Sequence, residues 1–78
     1  MTYNEFNAAM EENKTVYGMT NGIMFDIRNL DGHSCFIRTI IKANNEDESH
    51  LIYNITEETQ MKTYWMIESN NFNWRIKD

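Results

Sequence analysis

Apolar residues near the start of the chain recur at helical spacing. Residues three and four apart are neighbours on a helix, and one face would carry Tyr3, Phe6 and Met10. Thr2 and Glu5 have the spacing of a capping box, in which each side chain binds the backbone N–H of the other residue. The pattern predicts a short N-terminal helix that begins after Thr2 and ends near Asn13.

The pattern then changes to the alternation that is typical of strands. Two runs of strand composition, residues 15–20 and 23–29, flank Asn21-Gly22, the pair that best fits the two positive φ angles of a type I′ turn. Alternate residues of the second run form an apolar face and a mixed face, with Ile23, Phe25 and Ile27 on the first and Met24, Asp26 and Arg28 on the second. The sequence therefore predicts a β-hairpin.

A third alternating run, residues 34–43, predicts another strand. A two-residue turn at Asp31-Gly32 would place Arg38 opposite Phe25 and bury a charge on the apolar face. We expect instead a three-residue loop, 30–32, with Gly32 in the left-handed conformation. The expected cross-strand pairs are then Ile27 with Cys35 and Phe25 with Ile37.

The second half of the chain is less regular. The polar residues 44–49 predict a loop, and alternation over 51–56 and 72–77 predicts two more strands. Residues 57–68 fit either structure. Met61, Tyr64, Trp65 and Glu68 have helical spacing, whereas residues 63–67 have strand composition, and we favour the strand. The predicted fold is a single α+β domain, residues 1–78, with a short N-terminal helix followed by an antiparallel meander of five or six strands.

Composition narrows the classes of function. Twelve acidic and seven basic residues give a net charge of −5, which opposes nonspecific binding to nucleic acid or to an anionic membrane. No apolar run has the length of a membrane span, and the single cysteine, Cys35, indicates a reducing compartment, so we expect a cytoplasmic protein in a host cell. A domain of 78 residues without disulfides or zinc is also expected to form a homo-oligomer.

The residues that carry catalytic chemistry are few and scattered. His33 and Cys35 share a strand face but stand about 7 Å apart, too far for a Cys-His catalytic pair. His33 and His50 lack neighbours at the spacing of a zinc site, so we expect no metal, no cofactor and no enzymatic activity. The remaining signal is a surplus of aromatic and methionine side chains, which fits a ligand or partner surface as well as it fits a covered sheet face. The candidate ligand-binding or partner-binding residues are Asn21, Met24, Arg28, Arg38, Trp65 and Trp74.

Several segments resemble a known family. The segments are Met1–Phe6, Ala9–Glu11, Asn13-Lys14, Val16 and Asn21–Phe25, together with Asn73–Ile76 at the end of the chain. They are similar to the phage anti-Thoeris signal-sponge family, although Thr20 and Ile23 stand where that family has tryptophan and lysine. The resemblance implies a non-enzymatic phage counter-defence oligomer that binds a cyclic nucleotide-derived immune signal and withholds it from the host effector.

Two classes of function therefore remain open. In the first, a nucleotide base stacks on an aromatic ring while Arg28 and Arg38 bind its phosphates. In the second, an acidic protein inhibits a host or defence enzyme, such as a CRISPR, restriction or toxin component, and uses Trp65 and Trp74 as interface anchors.

Overall fold

The computed structural model describes residues 1–42, 44 and 46–78. Its elements in chain order are α1 (Tyr3–Glu11), β1 (Thr15–Thr20), β2 (Ile23–Leu30), β3 (His33–Ile40), β4 (Glu48–Asn54), α2 (Gln60–Glu68), a 3₁₀ turn (Asn70–Phe72) and β5 (Arg75–Lys77). The five strands of this described part form one antiparallel sheet in the order β4-β3-β2-β1-β5. The predicted α+β class and antiparallel meander are confirmed, with a second helix in addition.

The N-terminal helix begins where its capping signal predicts. The Glu5 backbone N–H donates to Thr2 Oγ1 at 3.2 Å, and the Thr2 backbone N–H donates to Glu5 Oε1 at 3.4 Å. Phe6 and Ala9 are buried, and Asn13 has a φ of 58° just beyond the helix. Local hydrogen bonding and burial on one face therefore determine α1.

The first hairpin also forms as predicted. Asn21 and Gly22 have φ angles of 49° and 76°, the left-handed region that a type I′ turn requires at both central positions. Thr20 pairs with Ile23 across the turn, and farther along the hairpin Val16 pairs with Ile27.

The predicted register of the second hairpin is wrong. Asp31 and Gly32, with φ angles of 52° and 82°, form a two-residue turn. The observed pairs are Leu30 with His33, Ile27 with Phe36 and Phe25 with Arg38. This register brings Phe36 into the core, where it is 2% exposed, and burial of a phenylalanine side chain stabilises by about 1.5–3 kcal/mol. The same register half-buries Arg38, an arrangement that the predicted three-residue loop would avoid.

Residues 57–68 do not form the favoured strand. The Thr59 hydroxyl accepts from the Thr56 backbone N–H at 2.8 Å and donates to the Asn54 carbonyl at 3.0 Å, which closes a turn before α2. Within the helix, Thr63 and Ile67 are both 0% exposed. The helical spacing of this segment therefore prevails over its strand composition because α2 supplies a second layer to the core.

Several predicted boundaries also shift. The third strand ends at Ile40 rather than at residue 43, and Ala43 and Asn45 lie outside the described residues. β4 begins at Glu48, inside the predicted loop 44–49. The last strand contains only Arg75–Lys77, because a 3₁₀ turn occupies 70–72 and Trp74 packs against the core.

Both helices pack on the same face of the sheet, which we call the covered face. Its strands contribute Val16, Ile27 and Phe36, and these pack with Phe6 and Ala9 of α1 and Ile67 of α2. The opposite face carries Tyr17, Met24, Asp26, Arg28 and Ile37, and we call it the open face.

Candidate functional site

A well-formed concave surface lies on the open face. It has a volume of about 700 Å³. Its lining comes from β1, β2 and the end of the chain around β5: Thr15, Tyr17, Met24, Asp26, Arg28, Ile76, Lys77 and Asp78. β5 builds one side of this cavity because it returns across the sheet to pair with β1. We take this cavity as the candidate site.

Asp26 is the most unusual group in the cavity. It stands in the middle of β2, between Tyr17 of β1 and Ile37 of β3, and is only 6% exposed. Its Oδ1 is buried and has no hydrogen-bond partner among the described residues. A buried acceptor without a donor costs about 1–3 kcal/mol of folding free energy. A protein that carries such a group in a cavity is a candidate for binding a ligand that supplies the donor.

Burial also changes the protonation of this carboxyl group. Desolvation raises the pKa of Asp26, and the nearby positive charge of Arg28 lowers it by a smaller amount, so that the net pKa lies above the ordinary value. The charge of Arg28 therefore compensates only part of the cost of burying the carboxylate.

Positive charge is concentrated around Asp26. Lys77 and Arg28 both line the cavity, and Arg75 pairs with Tyr17, which in turn pairs with Asp26 in the same row of the sheet. Arg75 and Tyr17 also line an adjoining concavity of about 290 Å³. Three of the seven lysine and arginine residues thus lie on one side of the open face, although the whole chain carries a charge of −5.

A fourth basic residue, Lys14, is engaged in ion pairs. Lys14 Nζ lies 2.9 Å from Glu12 Oε2 and 3.2 Å from Asp78 Oδ1. Hydrogen bonds to Glu12 and then to Asp78 raise the pKa of Lys14. The acidic residue at the rim of the cavity, Asp78, is thereby paired, which leaves the balance of charge in the cavity positive.

The six candidate residues from the sequence do not converge on one site. Met24 and Arg28 both line the cavity, and Asn21 is exposed in the first turn. Arg38 is half-buried on the covered face, opposite Phe25 and His50, and its Nε is buried without a partner among the described residues.

The two tryptophans have different environments. Trp65 is 76% exposed on α2. Trp74 packs against the core beside Phe36, and its indole N–H donates to the Met66 carbonyl at 2.8 Å. This contact gives Trp74 a structural role, whereas Trp65 is free to contact a partner.

Six of the eight lining residues are not among the predicted candidates, and these six include Tyr17, Asp26 and Lys77. One available signal is the position of Asp26, a carboxylate at the centre of an apolar strand. The contribution of Lys77 has no local signal because it depends on the pairing of β5 with β1.

Cys35 has the buried, hydrogen-bonded environment of a structural cysteine. Cys35 is 3% exposed, and its thiol donates to Asn54 Oδ1 at 3.3 Å and to the His33 carbonyl at 3.5 Å. Within residues 1–42, 44 and 46–78, no three His, Cys, Asp or Glu side chains are grouped to hold a metal ion.

No protein-family model, curated protein or solved structure matches this chain. Over the same described ranges, no helix has the length and apolarity needed to cross a membrane.

Proposed function

We propose that this protein is a non-enzymatic binding protein that sequesters a small nucleotide-derived ligand in the open-face cavity. The observation that carries the proposal is the buried Oδ1 of Asp26, which has no hydrogen-bond partner among the described residues and shares one concave surface with the cations Arg28 and Lys77. The resemblance to the anti-Thoeris signal sponges implies the same class of ligand, a nucleotide-derived immune signal.

The size and composition of the cavity support this proposal. A volume of about 700 Å³ lies within the range of about 300–1,000 Å³ that is typical of small-molecule sites. Tyr17 offers an aromatic ring to a base, and Met24 offers an adaptable apolar surface. Arg28 and Lys77 supply the positive charge that a phosphate requires.

The proposal is tested by identifying the molecule that the purified protein binds. Purified protein is incubated with a nucleotide extract from infected and uninfected cells, washed and denatured, and the released compounds are analysed by mass spectrometry. We expect a phosphate-containing compound whose mass is the same before and after binding, since a sponge performs no turnover.

Charge variants test whether the cavity is responsible. Replacing Arg28 and Lys77 by glutamine should reduce retention at least tenfold, because each lost charge-assisted hydrogen bond contributes about 1.5–3 kcal/mol. The matched control replaces Lys42 and Lys62, which removes the same charge elsewhere: Lys42 binds Glu48, and Lys62 lies over the Tyr53 ring. Equal retention by the two double variants would contradict the proposed site.

A second candidate function, inhibition of a host or defence enzyme by direct binding, is favoured by the outer face of α2. Met61 and Trp65 are one helical turn apart and are 72% and 76% exposed. Adjacent exposed methionine and tryptophan side chains are typical of interface anchors.

The α2 surface is tested separately. Trp65→Ala should abolish capture of a partner protein from host lysate while ligand retention by the cavity is unchanged. The reverse result, with ligand loss in Trp65→Ala, would assign Trp65 to the small-molecule site instead.

A further inference from the structure

We propose that Asp26 makes the open-face cavity selective for a guanine base. This inference rests on the proposed function, since it names the part of the nucleotide that the buried carboxylate recognises. The guanine base would bind Asp26 by its Watson–Crick edge, with its phosphate toward Arg28 and Lys77.

The chemistry of a carboxylate limits which base it can recognise. An ionised carboxylate only accepts hydrogen bonds, through two oxygens that suit a pair of parallel donors. Guanine presents two adjacent donors, the N1–H and the N2 amino group. Adenine and cytosine each present a ring-nitrogen acceptor beside an amino donor, and uracil presents one N–H between two carbonyls. Guanine is therefore the one standard base whose edge offers both donors to Asp26.

The environment of Asp26 favours hydrogen bonding to a ligand over an ion pair within the protein. Its Oδ1 has no hydrogen-bond partner among the described residues, although Asp26 is 6% exposed. The χ2 torsion of aspartate is broad, so the carboxylate can turn both oxygens toward an incoming edge. Arg28 follows two residues later on the same face of β2, about 7 Å along the strand, and offers a separate contact for phosphate.

Tyr17 and Lys77 complete the arrangement. Tyr17 is the direct cross-strand neighbour of Asp26, so its ring is placed to stack on a base held at the carboxylate. Lys77 pairs with Thr15, which lies two residues from Tyr17 on the same face of β1. Both residues line the cavity on the side where we place the phosphate. Base and phosphate contacts therefore occupy neighbouring rows of one sheet face.

The test compares purine nucleotides that differ in their substituents at C2 and C6. GMP, IMP, AMP and XMP are titrated into the full chain by calorimetry. IMP lacks only the N2 amino group of GMP, so loss of one hydrogen bond to a charged acceptor should weaken IMP relative to GMP by about tenfold to a hundredfold. AMP should bind at least as weakly as IMP because its N1 acceptor faces the carboxylate.

A variant that keeps the shape of Asp26 separates recognition from folding. Asp26→Asn replaces one acceptor by an amide donor, which is complementary to the C2 oxygen of xanthine. We expect it to lose the preference for GMP over IMP and to gain affinity for XMP. The matched control, Asp31→Asn, removes the same charge at an exposed turn position and should retain the wild-type order.

The outcomes distinguish this inference from the proposed function. Equal binding of GMP, IMP and AMP that is lost in the Arg28 and Lys77 double variant overturns guanine selection and leaves the phosphate site intact. Retention of the GMP preference by Asp26→Asn also overturns it. If none of the four nucleotides binds at millimolar concentration, the inference and the proposed function both fail.

Discussion

Burial of a side chain has opposite effects on stability at two places in the sheet, one on each face. On the covered face, Val16, Ile27 and Phe36 are at most 2% exposed and pack in one cluster with apolar side chains of the two helices. On the open face, Asp26 is nearly as buried, yet its Oδ1 has no partner in the described part of the chain and its pKa is raised by desolvation. The first kind of burial stabilises the fold, and the second costs free energy.

Under the function proposed above, this difference separates residues that stabilise the fold from one that would contact a ligand. A sheet that needed only to fold would carry an apolar or hydrogen-bonded residue at the position of Asp26. The apolar residues of the covered face follow the general rules of core packing, although Arg38 Nε on that face is buried without a partner among the described residues. The open face departs from those rules at Asp26, which lines the candidate cavity. The following predictions test the comparison between the faces.

The largest effect is expected from removal of a covered-face side chain. Phe36→Ala should lower the free energy of unfolding by about 3–5 kcal/mol, since it leaves a cavity among Ile27, Tyr53 and Trp74. Leu51→Ala is the open-face control: Leu51 is 58% exposed, and the change should stay within about 0.5 kcal/mol. Urea unfolding measures both. If the two variants lost similar amounts of unfolding free energy, burial on the covered face would contribute no more to stability than the exposed side chain on the open face.

A moderate effect is expected at Gly18. An added Cβ would lie 2.7 Å from the Phe72 carbonyl oxygen and 2.9 Å from the Phe72 Cβ. Gly18→Ala should therefore destabilise by about 1–3 kcal/mol through overpacking. Met19→Ala, at a 51% exposed position of the same strand, serves as control. A Gly18→Ala protein with wild-type stability would mean that Phe72 does not close over β1.

Replacement of Asp26 is expected to have a smaller effect than the two changes above, and it should stabilise the protein. A carboxyl group whose pKa is raised in the folded state binds its proton more tightly when the protein is folded. The protonated group therefore makes its full contribution to stability at pH values below the pKa that it has in the unfolded chain. That contribution is lost as the pH rises through the folded pKa. Asp26→Asn should therefore be more stable than the wild type by about 1 kcal/mol at neutral pH.

The pH dependence is the decisive part of that measurement. The advantage of Asp26→Asn should shrink toward zero as the pH falls below about 4, where both states of the wild type are protonated. Thermal unfolding at several pH values measures it, with Asp31→Asn as the control that should show no such trend. An advantage that grows on acidification would contradict the raised pKa.

The smallest effect on stability is expected at the sheet edge. β4 is an outer strand, and its residues Leu51 and Ile52 are 58% and 41% exposed. Leu51→Lys should change stability by less than about 0.5 kcal/mol, but a lysine at an edge strand disfavours pairing with another copy. Light scattering should give a wild-type mass above 9.4 kDa and a lower mass for the variant. A wild-type mass of 9.4 kDa at micromolar concentration would overturn the expected oligomer.

The sequence by itself determined the elements whose signals are local. The capping pair Thr2 and Glu5 defines the start of α1, and Asn21-Gly22 defines the first turn and its register. Both depend on hydrogen bonds or dihedral angles within a few residues, so no distant contact can easily change them. Met24 and Arg28 were assigned correctly to a common face for the same reason, because alternation within one strand is a local property.

Only the tertiary structure decided the features for which two local solutions compete. Asp31-Gly32 fits a two-residue turn or a longer loop, and the choice follows from Phe36 reaching the covered core. Residues 60–68 fit a helix or a strand, and the choice follows from the place that Ile67 takes in that core. In each case the local energies are similar, and burial of one large side chain is sufficient to decide.

The candidate site depends on tertiary structure to a greater degree. Lys77 is 51 positions from Asp26 in the chain and joins the same cavity only because β5 pairs with β1 rather than continuing from β4. The burial of Asp26 likewise depends on its neighbours on β1 and β3. Sequence alternation indicates which face a side chain occupies, but the pairing of distant strands decides what surrounds it, because the solvation and charge of a group are set by all the atoms near it.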